Sequence, residues 1–513
     1  MGINQNSIFY HSSRLIISSI FLQILSFFYR ILLGRLAGAQ VIAAHSLVMS
    51  AYNVVLAVTL SGISFSVSRI AAKYQAIGSG KSVKRLISFS LIIFLSLFSL
   101  LALPFGFFRE EFAEHILGDA QTSQALFLLI PCLFLTGFEN IHKAYFYGSS
   151  RTVPPMISET LEMLCRIITA LILFSIFPKL NVAATAALIV LGMVFSEIIS
   201  ATFLTLCYKL DKKNMTGKDN ISSRQILRDI VNMTLPISIS TLISRILHAA
   251  NTVLIPKTLV ISGATLEEAM EQFGTLSGMT IPMLMLPSAF LSPLITVLTP
   301  RFTAAHALNK TQEIRRKTAK ALHTVGLFGI PSLLFIAVYG EFFAKLLYQN
   351  KNAANFIFPM AFNTFLSFWY IVCESVLEGT GQQKRSAILA VVANSFGIIL
   401  TILFGCVFKM GINGYLIGEI SSFLFGVIIS AKWVKKFTKL EFRLENWIFK
   451  PFFAAGISIL FIKPLFIILC REKISEILVF SFCAVLTLLI YTILIRILGV
   501  NYPKYLRNLF TKN

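Results

Sequence analysis

Several ionisable side chains interrupt stretches of this chain that are otherwise apolar. They are Arg14 and Arg30; Glu139 and His142; Glu159, Glu162 and Arg166; Glu197; Arg245 and His248; Glu374; and Glu419. In hydrocarbon such a group costs about 2.5–3.5 kcal/mol on insertion scales, so it faces a partner or a wet cavity. Most of these charges fall in the first half of the chain, where the arginines have few acids along the same helical face. Spare guanidinium charge in a cavity suits an anionic ligand, above all a phosphate, which the planar fork grips in two places. Ser19, Gln23, Ser26 and Arg30 follow the 4-3-4 spacing that keeps side chains on one face of a helix. Glu162 and Arg166 stand at i, i+4 with the acid first, the arrangement that best forms an intrahelical pair. A salt bridge and a substrate contact are both open for them. Arg69 and Arg301 close apolar segments, as topology anchors or ligand contacts, and Arg14 reads as a snorkelling interfacial residue. The candidate substrate-binding set is Gln23, Arg30, Arg69, Glu162, Arg166, Arg245 and His248.

The segments that must position these residues are membrane helices. Hydrophobic residues make up 56% of the 513 positions, charged residues only 13%, and mean hydropathy is +0.78. A soluble chain has about a quarter of its residues charged, so this exterior is built for lipid. Apolar blocks such as Leu86 to Phe108, Ala183 to Leu206 and Ile477 to Ile495 approach the roughly 20 residues that cross a bilayer. The pattern predicts an all-α polytopic membrane protein of about fourteen spans, with the first, Ser7 to Leu33, retained rather than cleaved. The net charge of +22 gathers in alternate loops, for example Lys73 to Arg85, Lys209 to Arg228, Arg301 to Lys320 and Lys432 to Lys450, and in the C-terminal tail. The other set holds acidic clusters such as Glu110, Glu111 and Glu114, or Glu267, Glu268 and Glu271. Positive-inside logic puts both termini and the basic loops in the cytoplasm. Charge so distributed marks topology and does not call for nucleic acid.

The chain also resembles itself. Ile24 to Arg35 aligns with Ile246 to Lys257, and the Ser19–Arg30 stripe lands on Thr241, Arg245, His248 and Thr252. The expected organisation is an N-terminal lobe, 1–210; a cytoplasmic linker, 211–226; a C-terminal lobe, 227–436; and two further spans with a basic tail, 437–513. Repeated halves around a central cleft are the common plan of secondary transporters.

Other chemistries find little support. Gly78 to Ser82 looks like the end of a phosphate-binding loop, but the glycine that motif needs at position 75 is Gln75, and two apolar helices flank it. No catalytic triad, metal-ligand cluster or cofactor motif is visible, so neither an enzyme nor a cofactor is expected. The seven cysteines lie in or beside apolar segments without paired spacing and read as small hydrophobes.

Four stretches bring a family into view: FFYRILLGRLAGA in the first span, SGISFSVSRIAAKY ending the second, FYGSSRTVPPMISETLEMLCRI around the fifth, and GINGYLIGEI opening the twelfth. Through them the chain, from about residue 8 to 495, resembles the polysaccharide transporters of the multidrug, oligosaccharidyl-lipid and polysaccharide exporter superfamily, within them the stage V sporulation protein B group. The resemblance implies a two-lobed, alternating-access carrier in the bacterial cytoplasmic membrane. Its cargo would be an undecaprenyl-diphosphate-linked oligosaccharide or a lipid II-like peptidoglycan precursor, for cell wall, spore cortex or polysaccharide synthesis. Family cavity arginines carry over to Arg30, Arg69 and Arg245. It implies a monomer among membrane lipids, with cell-wall glycosyltransferases as candidate partners. The alternative is the sister branch, a multidrug and toxin extrusion antiporter that exports cations.

Overall fold

A backbone in lipid must satisfy its polar groups internally, as helix or closed barrel. The computed structural model describes residues 5–178, 180–215, 221–471 and 475–500, and these contain helix and no extended strand. The basic tail after 500, linker residues 216–220 and the side chain of Arg14 lie outside the described residues.

In chain order the long helices are α1 (Gln5–Leu36), α2 (Gly38–Ala76), α3 (Gly80–Phe107), α4 (Ala120–Gly148), α5 (Val153–Ile176), α6 (Val182–Asn214) and α7 (Ser223–Ile261). Next comes α8, a broken run of Leu266–Thr275, Leu276–Thr280, Ile281–Leu284 and Ser288–Ala307. Then follow α9 (Thr311–Val338), α10 (Ile357–Gly379), α11 (Gln383–Val407), α12 (Ile412–Thr438), α13 (Glu445–Leu469) and α14 (Glu476–Ile497). Twelve of these are long and apolar enough to cross a membrane. The other two, α5 and α8, occupy the places of the fifth and eighth expected spans. The first has the length, 24 residues, but holds Glu159, Glu162 and Arg166; the second is interrupted. The chain is an all-α, multi-pass membrane protein.

Local chemistry sets the helix ends. Asn181 caps α6 by accepting from the Ala184 N–H at 2.8 Å, and Ser222 caps α7 through the Gln225 N–H at 3.2 Å. Thr265 and Glu268 form a reciprocal capping box at the start of α8. Hydrogen bonds from Thr265 hold the exposed Glu268 carboxyl below the usual carboxylate range. Between α1 and α2 the chain turns through Gly38 at φ +80, a conformation suited to glycine.

Helix contacts divide the chain into two compact units. Unit 1 is residues 1–279 with 394–418, and unit 2 is 280–393 with 419–513. This division is drawn differently from the expected lobes, because α7 groups with the first six helices. Within unit 1 the reason is a close crossing of α2 and α7. A π-helical turn, Ala57–Ser61, ends at Gly62, where a Cβ would strike the Thr234 carbonyl and Ser238. Ser66 Oγ then meets Thr234 Oγ1 at 2.9 Å, and Asp229 accepts from Tyr74 at 3.1 Å and Lys73 at 3.2 Å. Small residues let membrane helices approach in this way. The unit 1 core adds Ile63, Phe94, Ile141, Tyr145 and Tyr208, and Gly137 makes room for the Phe94 ring.

Within unit 2, α9 packs on α10 and α13, with Gly326 admitting the backbone of Trp447. The rings of Phe335, Tyr339, Phe342, Phe466 and Phe480 form one aromatic cluster, and Tyr491 donates to the Leu327 carbonyl at 2.9 Å.

Candidate functional site

Three helices of unit 1 bury a charge cluster. The turn between α4 and α5 is tight, with Ser150 at φ +57 and Pro154 in the first turn of α5. On α5, Ser158, Glu162 and Arg166 recur every four residues, a single face. That face meets Glu139 and Lys143 of α4 and Ser196, Glu197 and Ser200 of α6.

Glu139 Oε1 accepts from Ser158 Oγ at 2.7 Å and lies 3.1 Å from Lys143 Nζ. Lys143 lies 3.7 Å from both Glu159 and Glu162. Arg166 pairs closely with Glu162, lies 3.7 Å from Glu197, and directs Nε to Ser196 Oγ at 3.4 Å. Glu139 is 1% exposed and Glu197 3%, so these carboxyl groups are out of water. Opposite charges in low dielectric attract strongly, and each must be matched or it is expensive.

The remaining candidates are arranged around this cluster in part. Gln23 and Arg30 belong to α1, which packs on α5 and α2. Tyr29 is buried with the Arg166 charge as a neighbour, whereas Arg30, the next residue, is exposed. Arg30 and Arg166 share His45 of α2 as an electrostatic neighbour. Arg245 and His248 are exposed neighbours on α7. Arg69 lies 24 residues beyond His45 on α2, about 36 Å at 1.5 Å per residue. It stacks over Phe65 at 4.3 Å and borders a cavity of about 160 Å³ with Lys73, Asp229 and Asn232. The structure therefore joins Glu162 to Arg166 and places Arg30 and Arg69 toward opposite ends of the helices. Among the described residues, Arg30, Arg69 and Arg245 make no ion pair.

Lys143 was not anticipated from the sequence. Its signal was available, since Glu139 and Lys143 stand at i, i+4 with the acid first, as Glu162 and Arg166 do.

Residues 9–306 match the family described as polysaccharide biosynthesis protein. The chain belongs to the polysaccharide biosynthesis protein family. A MatE family match covers residues 275–403. Among curated relatives, this family member is 23% identical over 444 residues to the stage V sporulation protein B of Bacillus subtilis (strain 168), covering 84% of each chain. It is 19% identical over 410 residues to the sporulation protein YkvU of the same strain, covering 78% of this chain and 89% of that one. Its fold is similar to an inward closed conformation of the lipid II flippase MurJ, with TM-score 0.69, 15% identity and coverage of 96% and 99%. It is also similar to an inward-facing multidrug resistance MATE transporter of the MOP superfamily, with TM-score 0.69, 15% identity and coverage of 83% and 98%. These findings bear out the recognised superfamily and the helical transporter fold.

Proposed function

We propose that this membrane transporter flips polyprenyl-diphosphate-linked glycans or peptidoglycan precursors by alternating access between two pseudo-symmetric halves. The observation that carries the reading is the set of Arg30, Arg69 and Arg245, which have no acidic partner among the described residues. Their depths differ. Arg69 is about 10 Å from the end of α2, Arg30 about 9 Å from the end of α1, and Arg245 lies in the middle of α7. A diphosphate could pass between guanidinium groups at successive depths while its polyprenyl tail stays in lipid, each fork taking two oxygens. Gln23 and His248 offer neutral hydrogen bonds to the sugar, and Arg166, tied to Glu162, shapes the wall. The protein sits in the bacterial cytoplasmic membrane as a monomer, and glycosyltransferases that make the cargo are its fitting partners.

The orientation follows from loop charge, with both termini and the basic loops in the cytoplasm. Cysteines introduced singly at Lys213 and Glu268, both exposed, are expected to react with an impermeant maleimide from opposite faces of intact cells. Reaction of both from one face would overturn the orientation and the order of spans between them.

The rival reading is export of cations, supported by the MatE match and by the acidic cluster of unit 1. Reconstituted wild-type protein separates the two. A fluorescent polyprenyl-diphosphate sugar should become accessible in the far leaflet, and a cationic dye should not be moved. Dye transport without lipid flipping would favour the rival.

A further inference from the structure

The buried cluster is one proton short of balance. Among its wholly or largely buried members, Glu139, Glu162 and Glu197 face Lys143 and Arg166, three acids against two bases. Carboxylate oxygens of the three acids lie within 4.8 Å of one another. Carboxylates gathered this closely repel one another as anions, and one that holds a proton can donate to another.

The partners show which one. Glu139 Oε1 already takes Ser158 at 2.7 Å and Lys143 at 3.1 Å, so Glu139 is the anion. Glu197 has Arg166 at 3.7 Å from Oε1, while its buried Oε2 has no hydrogen-bond partner. An orphaned buried oxygen is costly as a carboxylate and inexpensive as the O–H of a carboxylic acid.

We propose that Glu197 is an exchangeable proton site of unit 1, donating to Glu139 when loaded, and that a proton rather than a metal ion is the cluster's ligand. A metal would need several of these oxygens, and Lys143 and Arg166 already hold Glu139 and Glu162. With the proton in place the buried charges cancel. When it leaves for water, the cluster has one excess negative charge beside Arg166, which can turn from Glu162 toward Glu197.

The other titratable groups around Glu197 and Arg166 come from α1, α2 and α4. From α2 comes Tyr52, whose hydroxyl bonds Thr136 at 2.9 Å, and His45 flanks Arg166. From α4 comes Cys132 and from α1 Tyr29, the latter beside Arg166. The cluster comes nearest to the surface at the α4–α5 end. Glu159, about one third exposed, is bonded by Tyr147 at 3.3 Å and lies near Lys143, which touches Glu139. The site stands independently of the cargo; its use in coupling rests on the transport reading.

Infrared difference spectroscopy of the purified protein, without substrate, tests the proposal. Wild-type protein at neutral pH should show a carboxylic-acid C=O component that shifts in D2O and disappears reversibly at high pH. Glu197→Gln and Glu139→Gln should each lose it, because either leaves two acids against two bases, while Glu271→Gln on an exposed surface keeps it. Lack of the component in the wild type, which needs no variant to fold, would overturn the proposal. So would its survival in Glu197→Gln. A protein with the component and no lipid flipping would instead contradict the transport reading alone.

Discussion

Replacing Lys143 with Met should destabilise the protein by about 3–5 kcal/mol, the cost of removing one partner from a buried ion pair. Lys143 is the cation that reaches Glu139 at 3.1 Å and Glu159 and Glu162 at 3.7 Å. Without it Arg166 alone faces three buried acids, and a second of them must take up a proton or remain unmatched. The expected result is a large fall in the thermal unfolding midpoint of the detergent-purified protein and a low yield of monodisperse material. Adding Glu139→Gln to Lys143→Met removes the orphaned acid and should restore most of the loss, a coupling that only groups in contact display. Equal stability of the single variant and the wild type would show that the cluster is not held together by Lys143.

The arginine variants should fail in a different way. Arg30 and Arg245 are exposed and make no ion pair among the described residues, so replacing them with Ala orphans no acid and should leave the fold intact. A charged hydrogen-bonding contact is worth about 1.5–3 kcal/mol, so each Ala variant should lose about 10- to 100-fold in transport, and the pair together still more. Lysine at either position keeps the charge but not the two-pronged grip, and should recover only part of the loss.

Much of this arrangement was legible from residue type and spacing. The apolar blocks gave the helices, including α5, whose charges hide it from a hydropathy criterion. The i, i+4 rule gave Glu162 with Arg166, which the structure pairs. Applied evenly, the same rule would have given Glu139 with Lys143, but Lys143 stands in the aromatic stretch at the end of α4 and reads as interfacial. Glu139 and Glu197 were visible as embedded acids, yet their meeting was not, because it depends on contacts between helices, such as Ser158 Oγ to the Ser200 carbonyl at 3.4 Å, that spacing along one helix does not encode. The expected repeat likewise relates α7 to α1 without saying what α7 touches. Its packing on α2 depends on Gly62, Ser66 and Asp229, residues with no special pattern along the chain.

The proposed passage of a diphosphate-linked lipid across the bilayer rests on unpaired arginines. Its most direct test is the rate of flipping of a fluorescent polyprenyl-diphosphate sugar in proteoliposomes, per folded molecule, for wild type and the Arg30→Ala/Arg245→Ala variant. The expected results are flipping by the wild type, a loss beyond about a hundredfold in the double variant from two contacts of this size, and partial return with lysine at both positions. Wild-type rates in the folded double variant would contradict the proposal.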